Sequence, residues 1–594
     1  EKIYVNMFLK RSTPIGFRLL VKSDDSSVML VAHPNRVMWR RHESLAEIVD
    51  AAMIDLPLSD ADAGIEAEFD ESSTTKRPML AGMFAKRIKA QSQQLLSWFR
   101  QVMKEVEEGT LFKHKTRDPL IQVEGLTRDP FSLHKMIVVV TKSGTLFGID
   151  SLSGDIVWRH YIPNLEKSAR WNFYFYVQRT TAHFPHPPQM ALLALDSDHS
   201  QQPVLLTFNP ITGEVNKQKS LLRPDVHIIQ VMLLPSTDAS HLRPLILLNS
   251  DMTLQLFPDS TDVRSLINTL NLFMYDVDTT SGTPPGVFPK PRLNSTALWV
   301  VKVPPSHKIS TVAGKKMLEK VDSLGRPLAD RSVIFKYLNP NAIAVVSESL
   351  DDNVDRSSLF LLIVDAVTGQ TIHSSYHKKA TGPVKMIHSE NWLLYSYWNA
   401  KARRTEITSM EFYEGKTQHN STAFSSFEAH PPLLCQQSYI FPTGISCIGV
   451  SQTDKAITSR QILFGLKRGA LLGLPRRFFD PRRPLTMEDS HREEGLVQYM
   501  PEIPIPPELF LSYNLSIESI DGVYSAPAAL ESTSLVLTTG IDIFFTRTQP
   551  SKMFDVLKED FDHFFISTVL IGMFVAALVV RRMSQIKQLK KAWK

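Results

Sequence analysis

The run Gly144-Thr-Leu-Phe-Gly-Ile-Asp150-Ser-Leu-Ser-Gly154-Asp-Ile-Val-Trp158 sets two apolar stretches around an acidic-to-glycine turn, the second ending in Trp. In such a turn the Asp carboxylate accepts backbone hydrogen bonds, and the Gly takes the positive φ that closes the hairpin. The same four-residue offset recurs in Thr207-Phe-Asn209-Pro-Ile-Thr-Gly213-Glu-Val and in Leu362-Ile-Val-Asp365-Ala-Val-Thr-Gly369-Gln-Thr-Ile. Gly465-Leu-Lys-Arg-Gly-Ala-Leu-Leu-Gly-Leu is a looser relative. These hairpins recur at about 50 residues or multiples of it, an interval the size of a propeller blade. The expectation is a mainly β chain; the plainer alternative is a handful of unrelated hairpins.

Two segments depart from this pattern. Residues 55–73 are acidic, with Asp60, Asp62, Glu66, Glu68, Asp70 and Glu71, and read as a solvated linker. Pro78 then suits a first helical position. Leu80, Met83, Phe84, Ile88, Leu95, Phe99, Val102 and Val106 follow at spacings that make one stripe of a long helix over 74–108. Lys86, Arg87, Lys89, Arg100 and Lys104 lie on the other faces, with Trp98 beside the stripe. Cations for headgroups and an apolar stripe for acyl chains suit a helix lying in a membrane interface. The alternative is an amphipathic helix packed on its own protein.

The second departure is Phe564 to Val580, FFISTVLIGMFVAALVV, which carries no charge. At 1.5 Å per residue it spans roughly 26 Å, close to the hydrocarbon core of a thin bilayer. Acids gather upstream at Asp555, Glu559, Asp560 and Asp562, whereas Arg581, Arg582, Lys587, Lys590, Lys591 and Lys594 follow without any acid. A core helix would not need that asymmetry. The positive-inside rule makes the tail cytosolic and the body exocytoplasmic, a single-pass type I arrangement. Ser567 and Gly572 within the span would let another helix approach closely, with Asp562 and Arg582 bracketing it at the two interfaces.

Among 594 residues, 37 prolines against 25 glycines fit short strands joined by turns. The excess of 66 basic over 61 acidic residues is too small to imply a nucleic-acid surface. Cys435 and Cys447 are the only cysteines, so a disulfide between them is open but could not staple so large a chain. Asn294, Asn420 and Asn514 head glycosylation sequons, as many as chance would give. The chain opens on Glu1-Lys-Ile-Tyr, with neither Met nor a signal-peptide core, so a targeting signal and further domain sequence are expected to precede it.

No catalytic constellation emerges. His183-Phe-Pro-His186 has metal-like spacing, but the prolines around it preclude a helix and no acidic or Cys cluster stands nearby in sequence. Nucleophile-elbow, Walker, dinucleotide and zinc-protease motifs are missing, so no enzyme activity, cofactor or metal is expected. The hairpin pattern resembles the quinoprotein-type β-propeller blade, without the adjacent cysteine pair of many quinone-cofactor dehydrogenases. A dehydrogenase of that type remains a second reading, to be recognised by cofactor absorbance.

The strings Gln178-Arg-Thr-Thr-Ala-His-Phe-Pro-His-Pro-Pro-Gln189, GRPLADRSVIFKYLNPN from Gly325 to Asn341, His388-Ser-Glu-Asn-Trp392 and Tyr397-Trp-Asn-Ala-Lys-Ala-Arg-Arg404 are long and specific. They closely resemble one family, that of subunit 1 of the endoplasmic reticulum (ER) membrane protein complex. Gln437-Ser-Tyr-Ile-Phe-Pro442, Asp480-Pro-Arg-Arg-Pro484, Pro550-Ser-Lys-Met-Phe-Asp-Val-Leu-Lys558 and Lys591-Ala-Trp593 continue the resemblance to the end of the chain. It implies a lumenal scaffold with propellers, an interfacial helix and one anchor. Such a scaffold supports insertion and folding of tail-anchored and multipass membrane proteins. Implied partners are other subunits, including lumenal ones and a YidC-like insertase subunit, client membrane proteins and the ER bilayer. A single-pass propeller receptor sensing unfolded chains is the alternative, weakened by so short a tail.

The expected organisation is therefore propeller strands over 1–54, an acidic linker over 55–73 and an interfacial helix over 74–108. Blades follow over 109–385, a β-rich domain closing a propeller over 386–548, a juxtamembrane stretch over 549–563, the span over 564–580 and a basic tail over 581–594.

Overall fold

The computed structural model describes residues 2–8, 16–34, 36–58, 126–163, 165, 170–183, 186–196, 202–216, 227–269, 272–275, 285–290, 294–316, 319–321, 323–351, 356–418, 424–549 and 563–593. Contacts divide the chain into Glu1–Thr548 and Gln549–Lys594.

Eight antiparallel sheets of the first unit form successive blades. Blade 1 takes Ile48–Asp55, Lys135–Thr141, Thr145–Asp150 and Ile156–Tyr161. Blade 2 is Trp171–Arg179, Gln189–Asp196 and Val204–Phe208; blade 3 is Ile228–Leu233, Leu245–Asn249 and Leu254–Phe257. Blade 4 is Met274–Tyr275, Pro285–Lys290 and Asn294–Val300; blade 5 is His307–Gly314, Ala342–Ser349, Ser358–Asp365 and Thr371–Lys378. Blade 6 is Ala380–Ser389, Trp392–Asn399, Arg404–Gly415 and Leu433–Phe441. Blade 7 is Ile445–Val450, Gln461–Leu466 and Leu471–Pro475, and blade 8 is Gly522–Pro527, Ser534–Thr539 and Phe544–Arg547.

Strand periodicity explains the stacking. In Lys135–Thr141, Met136, Val138 and Val140 enter the core shared with blade 2, while Ile137 and Val139 enter the core shared with blade 8. A strand covered on both faces reads as a near-continuous apolar run, as Met136 to Val140 do here, and this one is buried throughout. In blade 2, Met190 and Leu192 face blade 1 while Ala191 and Leu193 face blade 3. Inner strands also touch by hydrogen bonds: the Phe175 N–H donates to Asp50 at 3.0 Å, the Tyr275 N–H to Gln230 at 2.9 Å, and the Ser525 hydroxyl to the Val450 carbonyl at 2.5 Å. Tyr524 of blade 8 donates to the Val49 carbonyl at 3.3 Å, and Leu537 packs on Ala51, closing the ring.

The hairpins read from sequence form as expected. Gly154, Gly213 and Gly369 take φ of +75°, +74° and +72°, and their N–H groups donate to the carbonyls of Asp150, Asn209 and Asp365 at 2.8, 2.9 and 2.8 Å. Two of these turns receive a tryptophan from the preceding blade. Trp158 lies on Gly213 and donates to the Pro210 carbonyl at 3.0 Å; Trp299 lies on Gly369 and donates to the Ala366 carbonyl at 3.2 Å. A Cβ on either glycine would enter the ring, so each turn needs glycine for both φ and space.

Blade 1 is assembled across a long sequence interval, Ile48 pairing with Thr141 and Asp55 with Lys135. The Arg128 N–H meets the Pro57 carbonyl at 2.9 Å, and Lys135 pairs with Asp55. The expected helix over 74–108, with Met83, Phe84, Ile88, Leu95 and Phe99, lies outside the described residues, as do Asn420 and Asp562. The boundary drawn at 385/386 falls inside the inner strand Ala380–Ser389 of blade 6. A ninth sheet, Lys2–Phe8, Gly16–Lys22, Ser27–Ala32 and Arg36–His42, meets blade 1 through the Asp25–Arg159 ion pair at 2.8 Å.

Cys435 and Cys447 are free thiols, so the disulfide left open by the sequence does not form. They belong to different blades: Cys435 pairs across a strand with Glu411, while Cys447 packs among Leu463, Leu471 and Ile520. Among the described residues the second unit holds one helix, His563–Ala592, of which Thr568–Ala592 is long and apolar enough to cross a membrane. Val569, Leu570, Ile571, Phe574 and Leu578 are all exposed around it. Up to Val580 the helix has no charged face to turn to water, which suits lipid.

Candidate interaction face

Blades 5 and 7 send out excursions that meet on blade 6. After its inner strand, blade 5 sends out the hairpin Gly325–Pro327 and Val333–Lys336. The hairpin joins blade 6, with Phe335 opposite Gly415 and Lys336 opposite Tyr413. After Pro475, blade 7 runs back along the outer strand of blade 6, where Ile440 donates to the Pro501 carbonyl at 2.7 Å and Ile503 donates to the Ile440 carbonyl at 3.1 Å. Arg483 fixes this return by donating to the Phe478 carbonyl at 2.6 Å and the Val497 carbonyl at 3.3 Å.

Between the excursions lies a chain of charges. Arg326 reaches Asp480 at 2.6 Å and Glu411 at 3.7 Å; Arg476 also pairs with Glu411 and lies over the Trp392 ring at 4.9 Å. Lys336 and Arg460 share Glu390 at 3.2 and 2.8 Å, and Arg460 reaches Glu319 at 3.0 Å. Glu319 also accepts from the Ser389 hydroxyl at 2.5 Å and the Glu390 N–H at 3.0 Å. Three blades are thereby tied by carboxylates that each serve more than one partner. Such sharing offsets the cost of burying Glu411, whose side chain is only 1% exposed.

Burial opposes each charge, and the neighbours outweigh it. Asp480 is held below its usual range by Arg326 and Arg482, and Glu390 by Lys336, Arg476 and Arg460. Arg326 is pushed upward by Asp480 and Glu411. Burial raises both thiols, Cys447 to about 11, which leaves it protonated and a poor nucleophile at neutral pH.

Two cavities flank this network. One, of about 430 Å³, lies between the hairpin, the 456–460 loop of blade 7 and Arg476–Asp480. The other, of about 450 Å³, is lined by inner strands around the ring, including Met53, Gly314, His388, Gly449 and Tyr524. Burial, then Lys315, lowers the His388 pKa to about 3, so the imidazole is neutral; its Nδ1 has no hydrogen-bond partner among the described residues.

The site residues expected from sequence are dispersed. Gly572 and Arg582 are exposed on the C-terminal helix, which also carries Ser567; Asn514 is exposed, and Asn294 starts a blade 4 strand. His183 and His186 gain a third imidazole, His241 of blade 3, stacked on His183 at 4.9 Å. No described group of three or more His, Cys, Asp or Glu could hold a metal. The charge network itself had escaped sequence reading. Arg326, Glu390 and Asp480 lie in the strings quoted above, while Glu411 and Arg460 carry no local signal beyond a charge within or beside a strand.

Fold and helix together define the class: a β-propeller protein with one C-terminal apolar helix fit to span a membrane. Residues 132–551 match the family model of the ER membrane protein complex subunit 1, second beta-propeller. The chain is 42% identical to ER membrane protein complex subunit 1 of Gallus gallus over 601 residues, covering 100% of this chain and 60% of that protein. It is 42% identical to the Xenopus laevis protein over 100% of this chain and 60% of that one, and 24% identical to the Saccharomyces cerevisiae protein over 94% and 72%. The chain belongs to the ER membrane protein complex subunit 1 family. It spans about 60% of the length of the first two relatives. Its ring also uses Ile48–Asp55, upstream of the matched region.

Proposed function

We propose that this chain is a non-enzymatic scaffold within the multi-subunit ER membrane protein complex, supporting insertion and folding of tail-anchored and multipass membrane proteins. The family match over 132–551, joined to a helix long and apolar enough to cross a membrane, carries this reading. The propeller lies in the lumen, the helix crosses the ER membrane, and the basic C-terminus is cytosolic. Flanking charge supports that direction, and Asn514 is exposed where a glycosylating enzyme could reach it. The 74–108 segment lies at the lumenal interface through Met83, Phe84, Ile88, Leu95 and Phe99. Ser567 and Gly572 offer a packing surface to neighbouring spans, and Asp562 and Arg582 set its depth. Other subunits, among them a YidC-like insertase, are its partners; that subunit performs the insertion step.

Mass spectrometry of the tagged chain purified in mild detergent tests this. Stoichiometric recovery of the other complex subunits is expected, with their loss when Phe84, Leu95 and Phe99 are all changed to Asp. Recovery of the chain alone, from cells that contain the complex, would contradict it.

A further inference from the structure

We infer that the cleft between blades 6 and 7 is a docking site for a short acidic segment of a partner protein. It deepens the scaffold reading and rests on it only in taking the partner to be a protein. Five cations line the cleft, Arg326, Lys336, Arg460, Arg476 and Arg477, against the three carboxylates of Glu390, Glu411 and Asp480. Each carboxylate is already shared by two cations. Glu319 and Arg482 stand behind the lining, Glu319 on Arg460 and Arg482 between Asp480 and Glu494. The charge left over is Arg477, which is exposed, rests on the Phe478 ring at 5.6 Å and makes no ion pair among the described residues.

Positive charge beside low-dielectric walls concentrates anions. The shape selects an extended one. Gly325–Pro327 is the edge strand of its sheet, pairs only with Val333–Lys336, and lines the cleft. An unpaired strand edge accepts an extended segment by backbone hydrogen bonds while charge selects its side chains. Pro327 has no N–H to offer, which limits the added ladder to a few residues. A cavity of about 430 Å³ holds two or three side chains and leaves the remainder of the partner outside.

Binding of fluorescent hexaglutamate to the full chain in detergent, followed by anisotropy, tests this, with hexalysine as control. Hexaglutamate is expected to bind and hexalysine not. Arg477→Glu should weaken binding by about tenfold or more, and Arg477→Lys should keep most of it, because the site reads charge at the rim. Lys336→Met supplies a second variant from the opposite wall, expected to weaken binding in the same direction. Unchanged binding in Arg477→Glu and Lys336→Met, with thermal midpoints as in the parent chain, overturns the proposal. So does inorganic phosphate binding as tightly as the peptide and displacing it, which would make the cleft a small-anion site. Failure of the parent chain to bind hexaglutamate, with complex recovery intact, would sink the docking site and leave the scaffold reading standing.

Discussion

Neighbouring blades are joined in two chemically different ways. At the joints between blades 1 and 2 and between 4 and 5, a tryptophan lies on the glycine of the next blade's turn and gives its one N–H to that turn. From blade 5 to blade 7 an ionic joint is added to the shared apolar cores, with Glu390, Glu411 and Asp480 shared among arginines and Lys336. An aromatic joint rests on area removed from water and one hydrogen bond, and needs only two short motifs in register. An ionic joint repays a desolvation cost only while every partner is present, so it fixes geometry more than it adds stability. The aromatic joints serve the regular hairpins; the ionic one holds the excursions of blades 5 and 7 against blade 6.

Removing the ring at an aromatic joint has the largest expected effect. Trp158→Ala should cost about 4 kcal/mol, from lost burial and a vacated space against Gly148 and Gly213. Urea denaturation of the full chain measures it, and the loss should be the same at pH 5 and pH 8. Arg326→Met comes next, at about 3 kcal/mol, because Asp480 and Glu411 stay buried with one cation fewer. This loss depends on pH. Asp480 in the folded chain is held below its ordinary 3.8, so its contribution is full above that pH and disappears as pH falls through the lowered value. The Arg326→Met penalty should therefore shrink below about pH 4, unlike that of Trp158→Ala.

A third perturbation isolates the ring's centre. The pKa of His388 falls from 6.5 to about 3 on folding, so it favours the folded state above pH 6.5 and that contribution is lost as pH falls toward 3. Between pH 6.5 and 5 the loss amounts to about 2 kcal/mol, and His388→Gln should flatten that slope. The smallest effect concerns the thiols. With Cys435 and Cys447 unlinked, reductant should leave the thermal midpoint unchanged, whichever kind of joint fails first.

The two kinds of joint were not equally legible in the sequence. Asp150/Gly154, Asn209/Gly213 and Asp365/Gly369 declare their turns within five residues, because the hydrogen bonds that close them are local. Trp158 stood beside its own hairpin, yet its seat on Gly213 of the next blade was visible only in space. Glu411, Arg326 and Asp480 are far apart in sequence and meet only because a hairpin and a return strand both lie against blade 6. Blade 1 was hidden for the same reason: its inner strand Ile48–Asp55 and its partner Lys135–Thr141 are separated by an amphipathic segment that draws the eye away from the pairing. The apolar helix, by contrast, was plain, since an uncharged run needs no partner to be recognised.

The central claim is a lumenal propeller held by one C-terminal span, and protease protection of intact ER microsomes tests it most directly. With one epitope tag on the 581–594 tail and a second in the blade 7 loop at 456–460, external protease should remove the tail tag and leave the propeller tag protected until detergent opens the membrane. Protection of the tail together with cleavage at the propeller tag would invert the topology and contradict the account.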